Sequence, residues 1–299
     1  MYPRHTYKSN TVTSWTELKD PVATPKYDGA NFHMVIDSIG KVRLFSRAKA
    51  VDGTYPERTE QLPQLTSKLL PQFAGHVYNV ELIHTGHSSH NKESHGKVSG
   101  ILNSLTPRSL ETQKAEGPIR AVLINVTNPE LPTYRDKLLH LKEVEKAFGN
   151  SSLMFVPTPA IDKQGIVNLI HSTKISGREG VIVTSLTEPE YKNPRIKIVH
   201  TNMYNLRVVR VNQEIDITGK PKDSMGSLTV VDAVGRIVGN VGTGFSREDR
   251  IDAWENKGKW VGKLIQVKAR GIVREEGLLK APVYNGFSDG EIDTVNFNY

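Results

Sequence analysis

The chain has 299 residues, no cysteine and a formal net charge of +7. Its length suits two domains, and the absence of cysteine excludes a disulfide framework, a thiol nucleophile and a cysteine zinc site. Residues 1–200 hold 25 Lys+Arg against 19 Asp+Glu and residues 201–299 hold 14 against 13, so the basic excess, which favours a polyanionic partner, lies in the first two thirds.

No stretch is apolar over enough residues to cross a bilayer, and the N-terminus lacks an apolar signal core. A cytoplasmic protein without a membrane partner is therefore expected. After a helical turn around Trp15-Thr16-Glu17-Leu18 comes Thr24-Pro25-Lys26-Tyr27-Asp28-Gly29, where a lysine is set for chemistry. A lysine that attacks phosphorus must first lose its proton, so its surroundings decide its role. Pro25 fixes the backbone entering Lys26, and in an extended strand Asp28 would project to the same side. Gly29 admits the close approach of a nucleotide or another strand. The other reading is an ordinary Asp-Gly hairpin turn with Lys26 solvated at its edge.

Residues 31–36 and 42–45 read as two strands joined by a turn, followed by the basic loop Ser46-Arg47-Ala48-Lys49. Helical spacing marks residues 59–73, and residues 77–83 read as a strand with one carboxylate, Glu81, that needs a partner. The loop that follows carries His84, His87, His90, Lys92 and His95. A loop lacks the rigid element that zinc ligands require, so these groups are read as donors to phosphates, with a solvated loop as the alternative. Residues 97–116 read as two short helices separated by Thr106-Pro107. Next come a buried strand over 119–126, an amphipathic helix over 133–148 ending at Gly149, a strand over 153–156 and a helix over 162–173. A third strand starts with Gly177-Arg178-Glu179-Gly180-Val181, and Arg195-Ile196-Lys197 places two cations on one side of a strand. Strands mixed with helices give an α+β domain over residues 1–202. From residue 203 to 299 the pattern changes to short strands at 205–211, 227–233, 236–241 and 263–270, with one helix opened by Ser246 and Asp249. That is the pattern of a small barrel of the OB type.

The ordered set of Lys-x-Asp-Gly, a Ser-Arg loop, a strand glutamate, a Glu-Gly-Val-Ile-Val strand, Arg-x-Lys and an OB-like module resembles the covalent nucleotidyltransferases. Within them it is most similar to the compact ATP-dependent DNA ligases of bacteriophages and other viruses. The resemblance implies a nucleotidyltransferase (adenylation) domain with mixed and antiparallel sheets, then an OB-fold domain. By it, Lys26 is the nucleophile that forms lysine-AMP, Asp28, Arg47 and Lys197 are its catalytic companions, and Thr24 and Pro25 open the adenine pocket. Arg47 also contacts the nick, Glu81 holds the ribose, Arg195 and Lys197 meet the nucleotide phosphate, and Glu179 binds Mg²⁺ or Mn²⁺, with Asp28 a possible second ligand. The resemblance further implies ATP as the nucleotide, nicked double-stranded DNA as partner and a monomer. His87, His90, Lys92, Lys220 and Lys222 join Arg47 as candidate DNA contacts.

Several positions depart from the ligase pattern. Asn31 replaces an arginine, Asn79-Val80 replaces Asp-Gly, Leu123-Ile124 stands where an aromatic stacks on adenine, and Ser288-Asp289-Gly290-Glu291 replaces a basic segment that orients pyrophosphate. Lys280 and Arg274 are candidates to substitute for those cations. An RNA ligase, a capping-type nucleotidyltransferase and a catalytically silent nucleic-acid binder are the alternatives.

Overall fold

The computed structural model describes residues 14–84, 95–176, 178–189, 195–273 and 277–295. The chain divides into two compact units, Met1–Ile198 and Val199–Tyr299. The first begins with β1 (Pro21–Lys26), β2 (Ala30–Ile36), β3 (Val42–Ser46), α1 (Pro63–Thr66), β4 (Val77–Ile83), α2 (His95–Asn103) and α3 (Thr106–Glu116). It continues with β5 (Arg120–Thr127), α4 (Tyr134–Phe148), β6 (Met154–Phe155), α5 (Lys163–Ile175), β7 (Gly180–Ser185) and β8 (Ile196–Val199), the last of which reaches the unit boundary.

Five strands form one sheet in the order β3-β2-β4-β5-β6, and three form another in the order β1-β7-β8. Alternation along the larger sheet separates two faces. Phe32, Met34 and Ile36 on β2, Val80 and Leu82 on β4, and Leu123 on β5 enter the main core. Asn31, Asn79, Glu81, Val122 and Ile124 consequently share the opposite face. Helix α4 closes the core with Leu141, Val144 and Phe148. Its ends are set locally: Thr133 and Asp136 form a capping box, and Gly149 ends the helix in the left-handed conformation, at φ 76°. Helix α5 buries Ile166 with Ala23, Val181 and Val183 of the smaller sheet.

Proline explains two differences from the sequence expectation. Residues 59–73 are not one helix but three short turns, Thr59–Gln61, Pro63–Thr66 and Pro71–Phe73, because each proline lacks the N–H that would continue the preceding turn. The two short helices expected over 97–116 are α2 and α3, but Thr106-Pro107 opens the second and is not the break between them, since a first-turn proline gives up no helical hydrogen bond. A third correction concerns the lysine loop. β1 pairs with β7, whereas β2 pairs with β3 and β4. Asp28-Gly29 is therefore a crossover between sheets and not a hairpin turn, and Asp28 lies beyond the end of β1.

The second unit contains β9 (Asn202–Ile215), β10 (Pro221–Val231), β11 (Ile237–Val241), α6 (Arg247–Glu255), α7 (Lys257–Trp260), β12 (Leu264–Ala269), β13 (Gly271–Val273), β14 (Leu278–Lys280) and β15 (Val283–Phe287). Its main sheet has the order β11-β10-β9-β12-β15. The edges of that sheet meet at one parallel bridge, Thr243 to Val283, and α6 falls between the third and fourth of the five strands. This is the partly open Greek-key arrangement of an OB fold. The capping box of Ser246 and Asp249 starts α6. Trp260, fully buried, belongs to the core of this unit, and the rings of Phe245 and Tyr284, packed against that core, stack at 4.3 Å.

Candidate active site

Lys26 is the last residue of β1 and stands opposite Gly180 at the start of β7. That register brings Glu179 to its side chain, and the Lys26 Nζ and the Glu179 carboxylate form an ion pair whose side chains are 21% and 9% exposed. Lys26 Nζ donates to the Glu179 carboxylate across the ends of the two strands.

Glu81 stands opposite Asn31 across β4 and β2. Its carboxylate accepts from the Gly29 N–H at 3.2 Å and from Asn31 Nδ2 at 3.0 Å. Burial pushes the Glu81 carboxyl above its usual range, while the Asn31 hydrogen bond, the Lys26 charge and the Gly29 N–H oppose that rise. Gly29 is engaged on every side. Its carbonyl bonds His95 Nδ1 at 2.7 Å, and a Cβ placed on it would lie 2.2 Å from the Leu82 carbonyl oxygen. Of the two visitors that the glycine could admit, the structure supplies the neighbouring strand.

Beside this cluster lies a cleft of about 520 Å³, lined by Asn31, Arg47, Lys49, Arg58, His95 and Ser99 among others. Arg47 is tied to β2 by its backbone N–H, which donates to the Asn31 carbonyl at 3.3 Å. Among the described residues that line the cleft there is no carboxylate, so its cations present a field of one sign. Lys49 and Arg58 have no distinctive spacing in the sequence; the loop after β3 brings them beside Arg47.

Cross-strand partners extend from Asn31 to Glu81, from Glu81 to Val122 and from Val122 to Phe155 on β6. Partners across a ladder point to one face, so Phe155 shares the face of Glu81. Its ring meets Tyr27 edge-on at 5.9 Å and lies under the Arg120 guanidinium at 4.8 Å. Of Leu123-Ile124, Leu123 is buried in the core and Ile124 is on the Glu81 face. Only the register across four strands could have singled out Phe155.

Other residues named from the sequence lie elsewhere. Thr24 and Pro25 are on β1, opposite Ile182 and Val181. Arg195 precedes β8 and its guanidinium packs over the Tyr134 ring at 5.6 Å, whereas Lys197 is exposed on β8, an edge strand. The two cations are thus in different settings, and Arg195 is outside the strand. In the second unit Lys220 ends the β9–β10 turn, and Lys222 pairs with Glu214 at 2.6 Å. The segment 288–291 is fastened to β9, with Ser288 Oγ donating to Asn205 Oδ1 at 2.7 Å. His84 is buried and bonds the Gly117 carbonyl at 2.9 Å, a structural role. His87, His90, Lys92 and Arg274 lie outside the described residues.

No family model matches this chain, and no curated protein matches its sequence. Among solved structures it is similar to a Lig E DNA ligase described as binding DNA with a minimal scaffold, with a TM-score of 0.64 and 16% identity over 91% of this chain and 93% of that one. The fold is that of a DNA ligase. Two further structures, Pmar-Lig_PreS3 and Pmar-Lig_Pre, match with TM-scores of 0.66 and 0.65 and identities of 16% and 17%, over 91% and 92% of this chain. The chain spans 64% and 65% of their lengths. The match to the Lig E structure extends over both units of the chain.

Proposed function

We propose that this protein is an ATP-dependent DNA ligase that seals nicks through a lysine-AMP intermediate. The observation that carries this reading is the Lys26–Glu179 ion pair beside the half-buried Glu81, at the edge of a cationic cleft whose described lining holds no carboxylate. Phosphoryl transfer depends mainly on alignment and on neutralising charge, and this cluster holds groups for both.

In this reading Lys26 leaves Glu179, gives its proton to water, attacks the α-phosphorus of ATP with the freed lone pair and expels pyrophosphate. Glu81, anchored by Gly29 and Asn31, holds the ribose. Arg47, with Lys49 and Arg58 beside it, receives the 5′-phosphate at a nick, to which AMP passes. The 3′-hydroxyl then displaces AMP and closes the backbone. Lys197 meets the nucleotide phosphates. Asp28 and Arg195 keep the companion roles that the resemblance implies, and Lys220 and Lys222 are DNA contacts.

Among the described residues no group of three or more His, Asp or Glu side chains could enclose a metal. Mg²⁺ is usually held by one or two carboxylates together with substrate phosphates, and the Glu179 carboxylate beside Lys26 is a ligand of that kind. Glu179 would hold it, with Asp28 as the second candidate. When bound, the ion supplies neutralisation of phosphate charge.

Incubation of the protein with ATP, Mg²⁺ and a nicked duplex tests the reading, with sealed strand as the expected product. No sealing with ATP, either of the nick or of a nick supplied already adenylated, would refute it; sealing only of nicked RNA would move the chain to RNA ligases.

Phe155 is proposed as the ring against which the adenine rests, in place of the aromatic missing at Leu123-Ile124. Phe155→Ala is expected to raise the KM for ATP about tenfold, the scale of one lost aromatic contact, with kcat for lysine adenylation within about threefold of the parent. Steady-state kinetics would show this, and an unchanged KM would remove Phe155 from the site.

A further inference from the structure

Two of the positions that depart from the ligase pattern touch each other. Asn31 stands opposite Glu81, and Asn79 stands opposite His33, so Asn31 and Asn79 are diagonal neighbours on one face of the sheet. Their side-chain amides exchange hydrogen bonds, Asn31 Nδ2 to Asn79 Oδ1 at 3.1 Å and Asn79 Nδ2 to Asn31 Oδ1 at 2.9 Å. The second N–H of Asn31 Nδ2 is spent on Glu81 Oε2 at 3.0 Å. Both donors and the acceptor of the Asn31 amide are thereby used.

An asparagine amide can in general present either its oxygen or its nitrogen to a neighbour. Here only one orientation serves. Turned over, Asn31 would set its oxygen against the Glu81 carboxylate and lose a bond to a charged acceptor. Asn79 is not itself among the residues that line the cleft; its two bonds hold the Asn31 amide in place, and Glu81, which accepts only from an N–H, fixes which way both amides are turned.

We infer that Asn31 and Asn79 form an amide lock that positions the Glu81 carboxylate, with Asn79 a positioning residue that acts only through Asn31. This rests on the reading of Glu81 as the ribose-binding group. The lock is neutral. An arginine at 31 with an aspartate at 79 would offer the same donor to Glu81 and the same acceptor to position 31, but as an ion pair.

The test uses the whole 299-residue chain with Asn79→Ala, Asn79→Ser, Asn79→Asp and the double change Asn31→Arg with Asn79→Asp. Two readouts are followed, the kinetics of label transfer from α-labelled ATP and the ¹³C titration of the Glu81 carboxyl. Asn79→Ala and Asn79→Ser are expected to raise the KM for ATP about tenfold, the scale of a disturbed hydrogen bond to a charged group, with kcat changed less than about threefold. Asn79→Asp places a second carboxylate near Glu81 and is expected to be worse, and adding Asn31→Arg should return KM to within about threefold of the parent. The Glu81 titration should move upward in Asn79→Ala, because the weakened Asn31 donor no longer opposes the effect of burial.

If Asn79→Ala changes neither KM nor the titration, or if the double change is no better than Asn79→Asp alone, the lock is overturned. A wild type that takes no label contradicts the proposed function alone. The ¹³C titration then still decides for or against the lock.

Discussion

Glu179→Gln is expected to lower lysine adenylation at least about a hundredfold, a loss on the scale of removing one preorganised electrostatic group from an active site. The substitution keeps the size of the side chain and removes its charge. Glu179 is paired with Lys26, and in the proposed function it also holds the ion that neutralises the phosphates. The glutamine cannot serve as an anionic ligand and leaves the Lys26 ammonium without its counter-charge. Exposure of the Lys26 side chain to solvent limits the folding penalty to about 1–2 kcal/mol, below that of a fully buried pair. The initial rate of label transfer and a thermal melt separate the two effects. A rate within about threefold of the parent would show that Glu179 only stores the lysine and has no part in the reaction.

Gly29→Ala is expected to destabilise the first unit by about 3 kcal/mol, the upper range for overpacking, and to suppress lysine adenylation in whatever fraction folds. The added methyl would lie 2.2 Å from the Leu82 carbonyl oxygen, 2.9 Å from Ile83 Cγ2 and 3.0 Å from Glu81 Cγ. The first of these is backbone in the middle of a sheet and cannot turn aside as the end of a side chain could. The crossover must therefore move, and with it the Gly29 N–H that anchors Glu81 and the carbonyl that holds His95. Denaturant unfolding followed by a probe in the first unit reads the stability. A variant with parental stability and a parental rate of label transfer would contradict the tight crossover.

These two residues also mark how far the sequence alone could reach. Lys26, Asp28 and Gly29 stand out in the sequence because their signal is local, a lysine with a carboxylate two residues on and a glycine that permits close approach, and of these the close approach at Gly29 is what the structure shows. The capping boxes at Thr133 and Ser246 and the glycine after α4 were legible for the same reason. What the crossover joins was not, because Asp-Gly is equally good chemistry for a hairpin and only the pairing of β1 with β7 excludes it. The reach of β9 from Asn202 to Ile215 exceeded the strand expected at 205–211, since half of a one-sided strand is polar and its ends merge with turn composition.

The hidden part of the site is what the strand register assembles. Phe155 belongs with Glu81 through partners on two successive ladders, and Asn79 matters because a diagonal neighbour turns toward Glu81. Neither has a motif. Conversely, the segment 288–291, which alignment to the ligase pattern made conspicuous, is tied to Asn205 of its own unit. Lys49 stood out only as part of a basic loop and Arg58 not at all, because a loop lysine and a loop arginine are ordinary, and only the return of the chain after β3 collects them in one cleft.

The covalent step at Lys26 is tested most directly by incubating the protein and its Lys26→Ala variant with α-labelled ATP and Mg²⁺, then running both on a denaturing gel. The expected result is label that stays with the wild-type chain through denaturation and is absent from Lys26→Ala. Equal label on both proteins, or none on the wild type, would contradict it.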